Sequence, residues 1–130
     1  MAIFEARADA LNNRLYVTLG GFSDDVQMRR NVDVVIAELA KLRPGFVMIS
    51  TITEAKATTA GGARELERAM QAYKSKGIAR IIRIVGEEVL GKLQLQRLAQ
   101  EAGIPVEYAT SLAGAEALLR TKPAKPAGSA

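Results

Sequence analysis

Two long apolar runs separated by one amphipathic segment constrain the fold of this chain most. "FVMISTI" at residues 46–52 is continuous, which is typical of a strand covered on both faces. "IARIIRIVG" at 78–86 is interrupted by Arg80 and Arg83, which fall on opposite faces because side chains alternate along a strand. "ARELERAMQAYKSKG" at 63–77 lies between them and repeats its apolar residues at helical spacing. This order predicts parallel strands joined by a right-handed helical crossover, and therefore an α/β fold.

The first forty residues predict a β-hairpin followed by a helix. In "IFEARADALNNRLYVTLGGF" at 3–22, Asn12 and Asn13 separate two strand-like segments, and asparagine tolerates the left-handed backbone of a tight turn. "SDDVQMRRNVDVVIAELAKL" at 23–42 places apolar residues at helical spacing. Ser23 is the predicted N-cap of this helix, because a serine hydroxyl accepts a hydrogen bond from a free backbone N–H of the first turn.

The rest of the chain predicts a further helix, a short strand and a last helix. "EEVLGKLQLQRLAQEAG" at 87–103 forms the helix, "IPVEYA" at 104–109 the strand, and Ser111 caps the last helix. The predicted order β-β-α-β-α-β-α-β-α implies a mixed, mostly parallel sheet of about five strands with about four helices. We expect a single domain over residues 1–120 and a disordered tail over 121–130, which is rich in proline, alanine and lysine.

Composition excludes several classes of site. The chain has no cysteine and no histidine, so disulfides, thiolate or imidazole metal ligands and catalytic relays that need histidine are excluded. The net charge is +4, and without Lys122 and Lys125 it is 16 − 14 = +2. Because aromatic residues are only 5% of the chain, nucleic acid is not an expected partner. We expect a non-enzymatic protein without a cofactor or metal.

Hydropathy and the N-terminal sequence bear on localisation. No run reaches about 18 apolar residues, the length that crosses a bilayer. No early segment has the basic, apolar and small-residue order of a secretory signal. A cytoplasmic protein without a membrane span is therefore expected.

The polar stretch "TITEAKATTAGG" at 51–62 lies where a predicted strand ends and a predicted helix begins. Free backbone N–H groups and the helix dipole favour an anion at such a point, and glycine lets a ligand approach the backbone closely. One interpretation is a phospho-acceptor or anion-binding site formed by Thr58, Thr59, Gly61 and Gly62. The other is structural: one threonine caps the helix, and the glycines permit tight packing.

Polar and charged side chains near the same strand ends predict a groove for a ligand or partner. Its candidate residues are Ser50, Thr51, Arg83 and Lys92. Lys92 lies near a predicted helix start, where a positive charge opposes the helix dipole unless an anion is bound. The alternative is that Arg80 or Arg83 pairs with a carboxylate at a sheet edge, forming a surface ion pair of about 0–1 kcal/mol.

Three segments together resemble the STAS domain (sulfate transporter and anti-sigma-factor antagonist). They are "NRLYVTLGGFSDD", "LRPGFVMISTITEAKATTAGG" and "RIIRIVGEEVLGKLQLQRLAQEAGIPVEYATSLAGAEALL". The chain looks most similar to stand-alone bacterial SpoIIAA-like proteins of unknown function, and the resemblance covers nearly all of residues 3–119. It implies a SpoIIAA-like fold, with an N-terminal hairpin followed by alternating strands and helices, and a regulatory or protein-interaction role.

The resemblance also implies specific site residues. In phospho-switch members of the family, a strand ends in an aspartate, and an Asp-Ser pair opens the next helix about eight residues later. A partner kinase phosphorylates that serine and so blocks docking to an anti-sigma factor. The first aspartate corresponds here to Ser50 or Thr51, and the pair corresponds to Thr58 and Thr59, so Thr59 is the implied phospho-acceptor.

Two kinds of protein partner are expected. The resemblance implies a protein regulator that acts on the surface formed by the 50–62 loop and the helix that follows it, whereas a flat exposed pair of helices would support a homodimer. Because some relatives of this architecture bind lipids, the alternative function is binding of a small amphipathic or anionic ligand.

Overall fold

A computed structural model describes residues 3–20, 24–53, 60–86 and 104–121. The five described strands are β1 (Ile3–Asp9), β2 (Arg14–Gly20), β3 (Val47–Thr53), β4 (Arg80–Ile84) and β5 (Val106–Ala109). The three described helices are α1 (Asp25–Leu39), α2 (Ala60–Lys76) and α3 (Leu112–Leu118).

The strands form one mixed sheet in the order β1-β2-β3-β4-β5. β1 and β2 are the antiparallel hairpin, and each following strand is parallel to the one before it. The predicted α/β class, the hairpin and the mostly parallel sheet are confirmed. The helix predicted for 87–103 and the tail at 122–130 lie outside the described residues.

Local turn chemistry accounts for the hairpin. Asn13 has a φ of 55°, the left-handed backbone that asparagine tolerates. Its side-chain oxygen accepts the Arg43 N–H at 2.8 Å, and its amide nitrogen donates to the Arg43 carbonyl at 3.2 Å. The turn is thereby fastened to the segment that leads into β3.

The start of α1 differs from the prediction. Asp24, not Ser23, is the N-cap: its carboxylate accepts the Gln27 N–H at 2.8 Å, while the Gln27 side chain accepts the Asp24 N–H at 3.1 Å. This reciprocal capping box satisfies two backbone donors at once. It forms at Asp24 because an amide side chain stands three residues later, at the distance that lets it reach back.

Each face of the sheet packs against a different set of helices. The inner face, defined here as the side covered by α1 and α2, contributes to a core whose largest fully buried members are Phe46, Leu15 and Ile81. The outer face carries α3 over a smaller cluster of Ile49, Ile82, Ala109 and Ala115. The predicted cap of α3 is confirmed, because Ser111 Oγ accepts the Gly114 N–H at 3.0 Å.

The sequence predicts that Ala63, Leu66, Met70 and Tyr73 form the buried face of α2, and the structure confirms this only in part. Tyr73 is buried as expected, but Leu66 is 41% exposed and Ala63 is also exposed. Gly62 and Ala69 are buried instead. The small residues Gly62 and Ala69 lie on the side of α2 that packs against the rest of the fold. Leu66 lies at the margin of this packed side rather than within it.

Candidate functional site

A cavity of about 280 Å³ lies between the inner face of the sheet and helices α1 and α2. Most of its described lining is apolar, from strands and helices alike. A mostly apolar concave site with a few polar groups is the usual composition of a small-molecule site. The described lining residues with polar side-chain groups are Asn31, Ser50, Tyr73, Arg83 and Tyr108.

Three of these polar residues form a row across the sheet. Ser50 of β3 is in register with Arg83 of β4, which is in register with Tyr108 of β5. Neighbouring strands lie about 4.7–4.9 Å apart, and residues in register share a face. The row lies toward the carboxyl ends of parallel strands, where ligands of open α/β sheets bind.

Arg83 is the unusual member of the row. It is half-buried, and its Nε atom is buried without a hydrogen-bond partner. No carboxylate in the described part of the chain forms an ion pair with it. By contrast, Arg14 pairs with Glu116 at 3.1 Å and Arg68 pairs with Glu65 at 2.6 Å. The cavity therefore contains a guanidinium charge without a described counterion.

Tyr73 contributes a neutral hydroxyl from α2. Burial raises the pKa of Tyr73 to about 12, although the nearby positive charge of Arg83 acts in the opposite direction. The phenol consequently stays protonated at neutral pH. It can donate or accept a hydrogen bond in the cavity without itself adding charge.

Arg80 belongs to a different site. Although only three residues from Arg83, it lies on the outer face, where it pairs with Glu107 of β5 and donates to the carbonyls of Leu118 at 3.1 Å and Thr121 at 2.8 Å. Arg80 and Arg83 thus do not form one charged cluster. A pair with a carboxylate at the sheet edge was one of the two predicted interpretations, but this pair is buried rather than on the surface: 4% of the Arg80 side chain and 13% of the Glu107 side chain are exposed.

The predicted site at the start of α2 is described only in part. Gly61 and Gly62 lie in the first turn, whereas Thr58 and Thr59 lie outside the described residues. A Cβ atom added at Gly61 would stand 2.1 Å from Oδ2 of Asp25, so glycine permits this close approach of α1. That contact agrees with the packing interpretation of the glycine. Anion binding or phosphorylation at this point stays a prediction.

The predicted groove is divided by the sheet. Ser50 and Arg83 line the inner cavity together, whereas Thr51 faces outward and lines a separate groove with Tyr16 and Thr18. Consecutive residues of a strand point to opposite faces, so a strand end cannot supply both Ser50 and Thr51 to one side. Lys92 lies outside the described residues.

Three lining residues were not singled out as site residues from the sequence. Tyr73 read as a core position on an amphipathic helix, and Asn31 and Tyr108 carried no recognisable motif. The available signal was the alternation of side chains between the two faces of a strand. Tyr108 lies on the same face as Arg83 once β4 and β5 are placed in register. That register depends on the packing of the sheet and not on either strand alone.

The described residues contain no group of three or more acidic side chains placed to hold a metal ion. None of the helices within the described ranges combines the length and apolarity needed to cross a bilayer.

The chain matches no protein-family model, and no curated protein is significantly similar to it. The relation to STAS domains therefore stays a prediction.

Proposed function

We propose that this protein is a non-enzymatic binding module for a small amphipathic anion, which it holds in the cavity beneath α1 and α2. The observation that carries the proposal is the half-buried side chain of Arg83, whose buried Nε has no hydrogen-bond partner and which forms no ion pair among the described residues. A charge that is partly removed from water without a partner is unfavourable. A bound anion would supply the missing counterion.

The surrounding groups suit such a ligand. A guanidinium presents its donors in a planar fork that matches two oxygens of an anionic group. Ser50 and Tyr108 stand on either side of Arg83 in the same row, so their hydroxyl groups can bond to the remaining oxygen lone pairs. The apolar side chains of α1 and α2 that line the cavity would cover the apolar part of the ligand.

The protonation states support binding rather than proton-transfer chemistry. The Tyr73 phenol is protonated at neutral pH, and burial raises its pKa still further above that range, while an arginine side chain does not deprotonate in proteins. General base catalysis needs a group whose pKa lies near the working pH. The described lining contains no Asp, Glu, Lys, His or Cys, the residue types that most often act as general bases.

Replacing Arg83 with glutamine tests the proposal. We expect Arg83→Gln to weaken the binding of amphipathic anions by at least about tenfold, since a charge-assisted hydrogen bond is lost. Isothermal titration calorimetry with alkyl carboxylates, sulfonates and phosphates would measure the effect. Arg68→Gln is the matched control, because Arg68 lies on the surface between Glu65 and Asp33. Equal binding by wild type and Arg83→Gln across the panel would contradict the proposal.

We also propose, as a second function, the regulatory role that the resemblance implies. The order of strands and helices, beginning with a hairpin, supports it. The described start of α2 at Ala60 directly follows Thr59 in the sequence, where a phosphate would add about −1.5 to −2 charges. This charge would change the surface that a protein partner meets.

A phosphomimetic pair tests the regulatory role. We expect a protein partner that co-purifies with the wild type to be lost from Thr59→Glu and retained by Thr110→Glu, a control at an exposed position far along the chain. Affinity capture from the source cells with quantitative mass spectrometry would measure the difference. A partner captured equally by both variants, or no partner at all, would rule out the switch.

A further inference from the structure

The walls of the Arg83 cavity are unusually rich in methionine. The chain has four methionines, and three of them line this cavity: Met28 from α1, Met48 from β3 and Met70 from α2. Methionine is unbranched, flexible and polarizable, and it adapts to ligands of different shape. Because the three come from separate elements, the cavity can adjust on the sheet side and on both helix sides.

The charge of the cavity selects the polar end of its ligand. Arg83 is the only charged residue among the described lining residues, so the described part of the lining offers a single positive charge. A carboxylate carries one negative charge and accepts two parallel hydrogen bonds from a guanidinium. A phosphate monoester carries about −1.5 to −2 charges near neutral pH, which would leave negative charge uncompensated against apolar walls.

The volume of the cavity limits the size of the apolar part of the ligand. At about 30 Å³ for each water-sized group, the cavity of about 280 Å³ holds roughly nine such groups. Leu66 lines the cavity and is 41% exposed, so it marks a side that is open to solvent. A flexible chain of medium length can fill this space, and a longer chain would extend past Leu66 into water.

We infer that the ligand is a flexible aliphatic monocarboxylate of medium chain length. Its carboxylate contacts Arg83 and the flanking hydroxyls, and its chain lies among the three methionines. This inference rests on the proposed binding function and narrows it in two ways: the polar end is a carboxylate rather than a phosphate, and the apolar part is a chain rather than a rigid ring.

A chain-length series tests this inference. Straight-chain carboxylates of increasing length would be titrated calorimetrically, with octyl phosphate, octanol and the rigid acid 2-naphthoate as comparisons. We expect affinity to rise roughly fourfold per methylene and to level off at about eight to ten carbons, where the chain reaches solvent. Octyl phosphate and 2-naphthoate should each bind at least about tenfold more weakly than octanoate.

Labelled methionine methyl groups locate the ligand. With methyl-¹³C methionine, octanoate should shift the signals of all three cavity methionines, assigned by single Met→Leu variants. Arg83→Gln should lose at least about tenfold in affinity for octanoate and none for octanol, and Arg83→Lys should retain part of the carboxylate affinity. Urea unfolding of each variant would establish that it is folded before it is titrated.

The outcomes separate this inference from the function on which it rests. Tighter binding of octyl phosphate or 2-naphthoate that still depends on Arg83 would overturn the ligand class and leave the proposed function standing. The ligand class would also fail if affinity were independent of chain length or if the three methyl signals stayed unchanged. Binding of every anion equally by wild type and Arg83→Gln would overturn both.

Discussion

Replacing Arg80 with methionine is expected to lower the free energy of unfolding by about 3–5 kcal/mol, the usual result of leaving one member of a buried ion pair without its partner. The Arg80 side chain is 4% exposed and pairs with Glu107, which would then keep a nearly buried charge alone. The substitution also removes two hydrogen bonds that join β4 to the carbonyls of Leu118 and Thr121. The end of α3 would therefore loosen together with the sheet edge.

Urea denaturation followed by circular dichroism would measure this loss. Arg68→Met is the matched control: Arg68 is 39% exposed and pairs with Glu65 and Asp33, so its replacement should cost about 0–1 kcal/mol. The double variant Arg80→Met with Glu107→Leu should recover much of the stability, since no unpaired charge remains. An Arg80→Met variant as stable as Arg68→Met would refute the structural role assigned to the pair.

Replacing Gly77 with alanine is expected to cost about 2–3 kcal/mol, from two separate causes. Gly77 ends α2 with a φ of +90°, a backbone that costs a residue with a Cβ about 1–2 kcal/mol. The added Cβ would also stand 3.1 Å from the Cβ of Pro44, a contact that the rigid proline ring cannot easily relieve. The Gly45 N–H donates to the Gly77 carbonyl at 2.7 Å, so the strain would reach the start of β3.

Gly45, which precedes β3 and donates its N–H to the Gly77 carbonyl, provides a control. Its φ is +89°, but a Cβ added there would have no neighbour within 4 Å. Gly45→Ala should therefore show the backbone cost alone, about 1–2 kcal/mol. Thermal or urea unfolding of the two single variants would separate backbone strain from the steric contact. Equal destabilisation of both variants would mean that the Pro44 contact adds nothing.

The two arginines of β4 illustrate how one strand serves both stability and the candidate site. Arg80 and Arg83 differ by three positions and so point to opposite faces. One is neutralised by Glu107 and holds α3, while the other lines a cavity without a described counterion. A half-buried charge without a counterion is costly to stability, and Arg83 has no counterion among the described residues. In the proposed function, the charge of Arg83 gives the cavity its preference for an anion.

Local chemistry made the order of elements readable from the sequence. Asn13 takes a left-handed backbone and Ser111 caps α3, because each of these depends only on a few neighbouring residues. The α/β class followed from the spacing of apolar residues, because that spacing distinguishes helices from strands and indicates which side of each is buried. The shift of the α1 cap from Ser23 to Asp24 arose within the same local chemistry, where two suitable caps were adjacent.

The composition of the cavity could not be read in this way. Ser50, Arg83 and Tyr108 are separated by long stretches of chain and meet only because β3, β4 and β5 pair in one particular register. The same packing placed Leu66 at the margin and buried Arg80 against Glu107. Spacing along the chain determined which elements form, since that depends on short-range geometry. Only the tertiary structure decided which side chains share a site, since strand register and helix docking depend on contacts between distant residues.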